Sequence, residues 1–432
     1  MASCTVPGAM VPTWRVAVVG SGISGLASAY LLDELHDIVL FEADDRLGGH
    51  ANTVTVDDPT AGPLSIDTGF IVHNDRNYPH LVRLLDELGV ETIDSEMSFA
   101  VTDRRSAFTY RATSLNSLLA DRRNLTNRHL WTMVADIVRF HRNGRRFLAD
   151  PAADSTITIE QFLADGGYGK AFVDLHLIPM GAAVWSADPT TFDRFPALTL
   201  LRFLRNHGLL SIGDRPQWKT IRGGSRAYVQ ALADSLRGEI RLGTPVTTIE
   251  RTSDGVQLTA RGLAGPERFD QVILATHSDQ ALALLADPSP EEKELLGAIA
   301  YQPNRATLHT DTALLPPKRR AWAAWNYDRL DPASQTAAVL TYDLTTLQRL
   351  PGSRRYLVSL NAADRIDPRT VLGSFDYAHP VFDTAAIVAQ DRLGALNGTT
   401  NTWFTGAWLG YGFHEDGMSS AVRVARALGS SW

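Results

Sequence analysis

The chain has 432 residues, of which 44% are apolar and 21% charged, and its formal net charge is -7. Such a chain is long enough for two or three domain-sized units, and its acidic balance gives no electrostatic reason to bind nucleic acid. The one cysteine, Cys4, excludes an intramolecular disulfide and a thiolate metal cluster, and it fits a reducing cytoplasm. No run reaches the roughly 18 apolar residues of a membrane helix. We therefore expect a cytoplasmic protein, and peripheral contact with a membrane stays open.

The first motif is the stretch WRVAVVGSGISGLASAYLL, near the N-terminus. Val16–Val19 predicts a buried parallel strand, and the glycines that follow lead into a helix rich in alanine and leucine. This order suits a diphosphate, because glycines allow a tight turn and a close backbone approach while the helix N-terminus supplies N–H donors. The predicted binding residues here are Gly20, Gly22, Ile23, Ser24 and Gly25.

A second predicted strand, HDIVLFE, ends at Glu42, about where a ribose-binding carboxylate is expected. The chain then turns back toward the diphosphate with a cation and two adjacent glycines. A nicotinamide dinucleotide needs no such second loop, whereas a flavin that extends beyond the diphosphate does. This loop contributes the predicted contacts Ala43, Arg46, Gly48, Gly49 and His50.

At these residues the sequence resembles the flavin amine oxidase and protoporphyrinogen oxidase superfamily, which also includes phytoene desaturases and polyunsaturated fatty acid isomerases. Its members carry the glycine motif, a ribose acid and an R-x-GG turn. The resemblance continues in the D-x-G turn, and it implies FAD as the cofactor. By this resemblance the turn adds Asp67, Thr68, Gly69 and Phe70 to the cofactor site.

Two later segments fit the same superfamily. The stretch 243–276 is similar to the middle FAD segment, with Val246 toward the adenine and a buried strand before Ala275 and Thr276. In the last segment, Phe404–Gly406 is predicted as a strand that ends in glycine. A helix is predicted from Met418 onward, preceded by Asp416 and Gly417, with its first N–H groups facing the flavin. Many relatives have an acid just after Gly406, where this chain has Ala407 and Trp408.

The order of these segments predicts the fold class α/β. It comprises a discontinuous, doubly wound, Rossmann-like FAD-binding domain and an α+β substrate domain, as in amine oxidases. Residues 15–75, 215–280 and 395–432 would form the FAD-binding domain, and residues 76–214 and 281–394 the substrate domain, after an N-terminal tail, 1–14. The first insert is predicted to be mainly helical, and the second to include strands at AAVLTYDL and RRYLVSLN.

Several phrases resemble a bacterial subgroup of predicted FAD-binding proteins: LIPMGAAVWS, NHGLL, WKTIRGGSRAYV, LHTD, HPVFD and GYGFHEDG. Members of this subgroup are often encoded beside cyclopropane fatty acid synthase-type methyltransferases. The resemblance therefore implies acyl-lipid substrates and a lipid-modifying methyltransferase as a partner. Met180, Trp185, Trp322 and Trp325 are candidates to line an acyl tunnel, and the alternative for each is a place in the apolar core.

His414, Glu415 and Asp416 are the polar candidates, because they directly precede the helix predicted to meet the flavin, and Tyr411 is a further catalytic candidate. The alternatives are a structural role for His414 and a helix-capping role for Asp416. Trp185, Tyr411 and Trp408 would wall the flavin or pack as ordinary aromatic residues.

The remaining histidines are given structural roles. His207 and His309 are predicted as hydrogen-bonded core or pocket histidines, and His277 is predicted to close a turn after its strand. Metal-ligand spacings and the G-x-S-x-G elbow are absent from the sequence, so we expect neither a metal site nor a hydrolase. Ser225 is then predicted to be a helix cap and not a nucleophile.

The sequence thus predicts an FAD-dependent oxidoreductase that takes a hydride and a proton from adjacent carbons of an apolar, fatty-acyl substrate. Three alternatives remain: a double-bond isomerase, an amine oxidase, and a non-catalytic FAD-binding partner of a lipid methyltransferase.

Overall fold

The structure is a computed structural model. It describes residues 12–432 except 113, 155, 187, 189–191, 211–215 and 331–337. Cys4 and most of the predicted N-terminal tail lie outside the described residues. Within them, no helix is long and apolar enough to cross a bilayer.

Strands and helices are numbered along the chain. Residues 12–225 contain β1 (Arg15–Val19), α1 (Ile23–Leu32), β2 (Asp37–Phe41), β3 (Thr53–Asp58), β4 (Gly62–Asp67), β5 (His73–Asn74), α2 (Pro79–Glu87), β6 (Thr92–Asp94), β7 (Phe99–Asp103), β8 (Phe108–Arg111), α3 (Leu115–Leu118), α4 (Arg128–Ala149), α5 (Ile159–Gly166), α6 (Lys170–Phe172), α7 (Ile178–Trp185), α8 (Ala197–Asn206) and β9 (Trp218–Ile221).

Residues 226–432 contain α9 (Arg226–Ser235), β10 (Glu239–Arg241), β11 (Val246–Thr252), β12 (Gly255–Ala260), β13 (Glu267–Phe269), β14 (Gln271–Leu274), α10 (Ser278–Leu284), α11 (Pro290–Gly297), β15 (Ala300–His309), β16 (Trp325–Arg329), β17 (Leu340–Asp343), α12 (Leu344–Leu347), β18 (Leu357–Leu360), β19 (Val371–Val381), α13 (Thr384–Leu393), β20 (Thr402–Phe404) and α14 (His414–Ala427).

The chain divides into two compact units. The first unit comprises residues 1–49, 229–297 and 392–432, and the second comprises 50–228 and 298–391. These boundaries differ from the predicted domain boundaries, because 50–75 and 216–228 pack within the second unit whereas 281–297 pack within the first. The assignment of cofactor and substrate to separate domains stays a prediction.

The first unit is built on a five-stranded parallel sheet in the order β10-β2-β1-β14-β20. Its central strand, β1, pairs with β2 and β14, and residues 16–19 are buried. Nine of the ten residues of α1 are also buried, which explains why that helix is apolar on nearly every side. A three-stranded antiparallel sheet, β11-β12-β13, belongs to the same unit. This doubly wound arrangement confirms the predicted fold class.

The second unit contains a seven-stranded mixed sheet in the order β19-β15-β18-β17-β16-β7-β8, together with two smaller sheets, β3-β4 and β5-β9-β6. Helices α2 and α4 confirm the helical periodicity of the first insert, and β17 and β18 confirm the two strands expected in the second insert. The sequence did not reveal that β7, which lies far away along the chain, pairs in parallel with β16.

Candidate active site

The glycine turn between β1 and α1 forms a cradle of backbone atoms in the first unit. Gly20 has φ +99°, and a side chain at Gly25 would overlap the carbonyl oxygen of Gly20. A Cβ added at Gly22 would meet no atom within 4 Å, so space is open beside the turn at that residue. The first helical hydrogen bond joins Leu26 N to Gly22 O. The helix itself therefore does not use the N–H groups of its first turn.

Glu42 lies at the end of β2 and is hydrogen-bonded to the glycine turn. One carboxylate oxygen accepts the N–H of Ser21 at 2.8 Å and its hydroxyl at 2.5 Å, and the other accepts the N–H of Asp44 at 2.9 Å. The acid predicted to bind ribose thus also holds Ser21 in place. Its contact with a ribose stays a prediction.

The R-x-GG loop packs against the same turn. The N–H of Gly48 donates to Ser21 O at 3.0 Å. Gly49 has φ +55°, and a Cβ there would lie 3.3 Å from Gly22 Cα. The Arg46 guanidinium donates to Gly49 O at 3.0 Å and so closes its own loop. Glycine is needed because the two turns meet backbone to backbone.

The C-terminal helix begins earlier than predicted. α14 starts at His414 and not at Met418, so His414, Glu415 and Asp416 belong to its first turn. A Cβ at Gly417 would lie 2.8 Å from Ser24 Oγ and 2.9 Å from Ile23 Cγ2. The first turns of α1 and α14 are therefore in close contact. The first turn of α14 already carries Glu415 and Asp416, so the positive end of α1 is the one that favours a ligand with negative charge.

Asp416 acts as a cap within this arrangement. Its carboxylate accepts the N–H of Phe413 at 2.9 Å. Burial raises the pKa of Asp416 to about 6, although backbone N–H bonds from Phe413 and Tyr411 oppose the shift. The capping alternative accordingly has direct support, whereas cofactor contact by Asp416 and catalytic roles for His414, Glu415 and Tyr411 stay predictions.

Trp408 lies two residues after Gly406, where many relatives have an acid. Its ring is 2% exposed and its Nε1 donates to Thr276 O at 3.0 Å. A side chain at Gly406 would collide with this ring. Trp408 therefore packs as a core residue and ties two predicted cofactor segments together, and this is the second of the two alternatives for this tryptophan.

The middle segment approaches the glycine turn through its backbone. A Cβ at Gly20 would lie 3.0 Å from Ala275 O, and Ala275 N donates to Val19 O at 2.8 Å. His277 follows as the N-cap residue of α10, as expected of a residue that closes a turn, and burial lowers its pKa. Val246 begins β11 and is half-buried. Its contact with an adenine stays a prediction.

In the second unit the D-x-G turn meets the residue after the R-x-GG loop. Phe70 N donates to His50 O at 2.9 Å, and a side chain at Gly69 would overlap His50 O. Thr68 N donates to Asn52 O at 2.9 Å. Residues 50–52 and 67–70 thus form one small backbone unit.

Asp67 is a buried cross-link in this unit. Its carboxylate accepts four hydrogen bonds, from Thr53 Oγ1, Ser225 N, Ser225 Oγ and Gln348 Nε2, at 2.6 to 2.9 Å. Burial raises its pKa to about 6, against the effect of those bonds. The side chain of Ser225, which directly precedes α9, therefore bonds to Asp67. Neither residue is placed as a nucleophile.

The sequence did not identify a cluster of rings around His50. The His50 ring stacks on Tyr377, with centroids 4.8 Å apart, and meets His379 edge to face at 5.4 Å. The Tyr377 hydroxyl bonds to Thr68 Oγ1 at 2.8 Å and accepts from Asn52 Nδ2 at 3.0 Å. The quoted phrase HPVFD contains His379, but only the pairing of β19 with β15 brings it to this place.

Asn304 orients the ring of His379. Its Nδ2 donates to Ser186 O at 3.1 Å and to His379 Nδ1 at 3.0 Å, and its Oδ1 accepts from Asn361 Nδ2 at 2.7 Å. Nδ2 also donates to Gln302 O at 3.2 Å, so these bonds define the orientation of the amide, and its Nδ2 toward His379 Nδ1 suits the tautomer with the ring proton on Nε2.

The four predicted pocket residues have different surroundings. Trp185 is 6% exposed and packs against Phe195 and Phe203, which is the geometry of a core residue. Met180 is half-buried on α7. Trp322 Nε1 donates to Pro316 O at 2.8 Å. Trp325 packs edge to face on Tyr342, and its buried Nε1 has no hydrogen-bond partner. Their role in a substrate pocket stays a prediction.

The other singled-out histidines are hydrogen-bonded. His309 is fully buried, with Nε2 2.8 Å from Ser359 Oγ and Nδ1 accepting Asp311 N at 3.1 Å. His207 Nδ1 lies 3.0 Å from Phe203 O. Burial lowers the pKa of each to about 4, so both are neutral at pH 7. Among the described residues no cluster of histidine, cysteine and acidic side chains could hold a metal ion.

The residues of the first unit fit FAD. An open cradle at Gly22, unused N–H groups at the start of α1 and the adjoining first turn of α14 are what a diphosphate and a reduced flavin require. Gly20, Gly22, Ile23, Ser24 and Gly25 would hold the diphosphate, and Glu42 would bind the adenosine ribose.

The fold is also that of known flavoproteins. Cyclohexylamine oxidase from Brevibacterium oxydans superposes with a TM-score of 0.69 at 18% identity, over 96% of this chain and 99% of that one. A fatty acid isomerase from P. acnes superposes with a TM-score of 0.68 at 15% identity, over 96% and 98%. At these identities the likeness concerns the fold alone.

Sequence comparison identifies the family. A protein of Mycobacterium tuberculosis that carries the name flavin-containing monoamine oxidase is 27% identical over 301 residues, which are 66% of this chain and 62% of that protein. The chain thus spans less than two thirds of this relative's length. The family model for flavin containing amine oxidoreductases matches residues 23–368. FAD is the characteristic cofactor of this family, and the chain belongs to the flavin containing amine oxidoreductases.

Proposed function

We propose that the protein is an FAD-dependent oxidoreductase that removes a hydride and a proton from adjacent carbons of an uncharged, apolar substrate, with fatty-acyl lipids as the substrate class. FAD, when bound, supplies the hydride acceptor. The residues of the chain bind and orient both molecules, exclude water and handle the proton. A lipid-modifying methyltransferase as the partner that supplies the substrate is part of this proposal, as is peripheral contact with a membrane.

One observation carries the choice of an uncharged substrate. A buried ammonium group needs a carboxylate to pair with it. In the described part of the second unit, every buried carboxylate already accepts hydrogen bonds from protein groups. The pairs are Asp58 with Tyr356, Asp67 with Ser225, Asp103 with Ser106, Asp121 with Arg123, Asp328 with Arg104, and Asp343 with Arg355. No buried acid there is left to recognise an amine.

The ring cluster of His50, Tyr377 and His379 is the proposed route for the proton. The Nδ1 of His379 accepts from Asn304, and a proton there would place two donors face to face. His379 is therefore a hydrogen-bond donor through Nε2 and does not take up the substrate's proton, which in this proposal passes to the ring of His50. The hydroxyl of Tyr377 touches both Thr68 and Asn52 and can pass a proton within this cluster.

Amine oxidation is the second candidate, favoured by the similarity to the M. tuberculosis protein that is named as a monoamine oxidase. In that case the substrate ammonium would lose its proton before it binds, because the buried acids are engaged. The two candidates differ in which compounds reduce the flavin.

The test is anaerobic bleaching of the bound flavin in the purified protein. Unsaturated, methyl-branched and cyclopropane acyl lipids are compared with primary amines and amino acids. Bleaching by one lipid class with formation of a new double bond supports the proposal, and bleaching by amines alone refutes it. Lipid products with a moved double bond and no net bleaching would indicate the isomerase. No reaction with any compound would indicate a non-catalytic FAD-binding protein.

A further inference from the structure

We propose that the outer face of α4 docks the protein onto an anionic phospholipid surface. The proposal concerns a surface of the second unit, and it stands whether or not the substrate is a lipid. We call this surface the α4 face and define it by Arg128, Trp131, Ala135, Val138, Arg142 and Arg146.

These six residues lie on one side of the helix. They recur at spacings of three or four residues, which places them on a single stripe of α4. The opposite side carries Leu130, Met133, Phe140 and Gly144, all buried. The helix is therefore fixed to the second unit by one side and presents the other to solvent.

Large apolar side chains are unusually exposed here. Trp131 is 43% exposed and Val138 is 54% exposed. Leu125, just before the helix, is 53% exposed, and its carbonyl accepts the Trp131 Nε1 hydrogen at 3.0 Å. A tryptophan with its N–H bonded near an aliphatic pair is the kind of group that inserts at a membrane interface. Exposure in water costs free energy that insertion would recover.

The charge of residues 121–149 indicates which partner the α4 face binds. Residues 121–149 contain seven arginines and two aspartates, a net charge of +5 in a chain whose net charge is -7. Both aspartates are already paired, Asp121 with Arg123 and Asp136 with Arg139. Among the described residues no carboxylate pairs with Arg128, Arg142 or Arg146. Uncompensated positive charge around an apolar centre is complementary to a bilayer rich in anionic lipid.

Arg122, just before the helix, also lines a cleft with further donors. The cleft is lined by Arg111, Arg122 and Arg320 with Ser114, Asn116 and Ser117; Arg111 is paired with Glu96, and the other donors suit phosphate groups. Arg122 belongs to the same basic segment as the helix. A second copy of the chain is a poorer occupant, because it would bring two faces of positive charge together, and nucleic acid is disfavoured by the apolar centre.

The test is flotation of the FAD-loaded protein with vesicles of pure phosphatidylcholine, or of equimolar phosphatidylcholine and phosphatidylglycerol. Wild type should float with the anionic vesicles only, and less at high salt. R142E/R146E should lower binding at least about thirtyfold, because each arginine near an anionic surface contributes about fivefold. W131S/V138S should lower it about tenfold or more.

Matched controls keep the outcome interpretable. R261E/R354E changes the net charge by the same amount at exposed positions outside the segment, and V388S removes a valine that is 55% exposed on α13. Both controls should bind like wild type. Circular dichroism and flavin content should be unchanged in all variants. Flavin reduction by a soluble short-chain substrate should also be unchanged, because this reaction does not require docking to a membrane, and it therefore separates docking from the proposed function.

The proposal is overturned if wild type does not float with anionic vesicles, or if the controls lose binding as much as the face variants. The proposal is also overturned if the wild type self-associates in solution and W131S/V138S abolishes this association, because the α4 face would then bind a second copy of the chain.

Discussion

Replacing Asp67 with asparagine will show whether this carboxylate is the buried cross-link of the second unit. In the wild type, Oδ1 accepts three donors, and Oδ2 accepts Gln348 Nε2 at 2.9 Å. Gln348 Oε1 in turn accepts the backbone N–H of Asp67 at 2.9 Å. In D67N, an oxygen kept at Oδ1 places the new NH2 group against Gln348 Nε2. Rotating the glutamine amide only moves the conflict to the backbone N–H.

The magnitude follows from this geometry. One hydrogen bond is lost and a buried donor is left unsatisfied at a side chain that is 1% exposed, so D67N should lower the free energy of unfolding by about 3 kcal/mol. The measurement is urea unfolding at pH 8, where a carboxyl with a pKa of about 6 is ionised in the folded protein. Tryptophan fluorescence and far-ultraviolet circular dichroism follow the transition.

Gln348→Glu provides the matched partner. Alone, Q348E sets two buried carboxylates against each other and should cost at least as much as D67N. In D67N/Q348E, the glutamate accepts both the asparagine NH2 and the backbone N–H, so the double variant should recover most of the loss. Additive losses in the double-mutant cycle would refute the assigned hydrogen-bond pattern.

Three further predictions concern the cofactor turn, the ring cluster and a buried histidine. G22A should fold like wild type but lower FAD affinity at least about tenfold by isothermal titration, because its Cβ enters the open space in which we expect the diphosphate. G25A should also lower the melting temperature, because its Cβ would overlap Gly20 O. Y377F should lower the free energy of unfolding by about 1–3 kcal/mol and slow flavin reduction; an unchanged rate would remove Tyr377 from the proton route. Burial lowers the pKa of His309 to about 4, so the unfolded chain binds a proton at this residue before the folded protein does. The free energy of unfolding should therefore fall as the pH drops from about 6.5 to 4. H309N keeps an acceptor for the Asp311 N–H and should show a smaller fall when urea unfolding is measured across this pH range.

Local patterns predicted a large part of the fold. The glycine turn, the strand before Glu42 and the apolar periodicity of α2 and α4 were predicted, because each depends on backbone geometry or on one buried face; β2 ends at Phe41, one residue before the predicted end. The start of α14 was missed by four residues. The signal was present in the acids at 415 and 416, which are favoured in a first turn.

The candidate site could be predicted only in part. Residues within each motif were found, since their spacing follows from the cofactor they suit. Tyr377, His379 and Asn304 were missed as a site because nothing local marks them. The pairing of β19 with β15 brings Asn304 near His379, and the fold of the second unit brings Tyr377 and His379 to His50.

The sequence by itself determined that this chain carries a doubly wound unit with a dinucleotide turn, because glycine spacing and buried strands act over a few residues. Only the tertiary structure decided what each acid and ring does. It made Asp67 a cross-link, turned Trp408 into a packing residue and grouped two rings around His50. These outcomes depend on which distant segments meet, and side-chain partners more than a hundred residues apart leave no local pattern in the sequence.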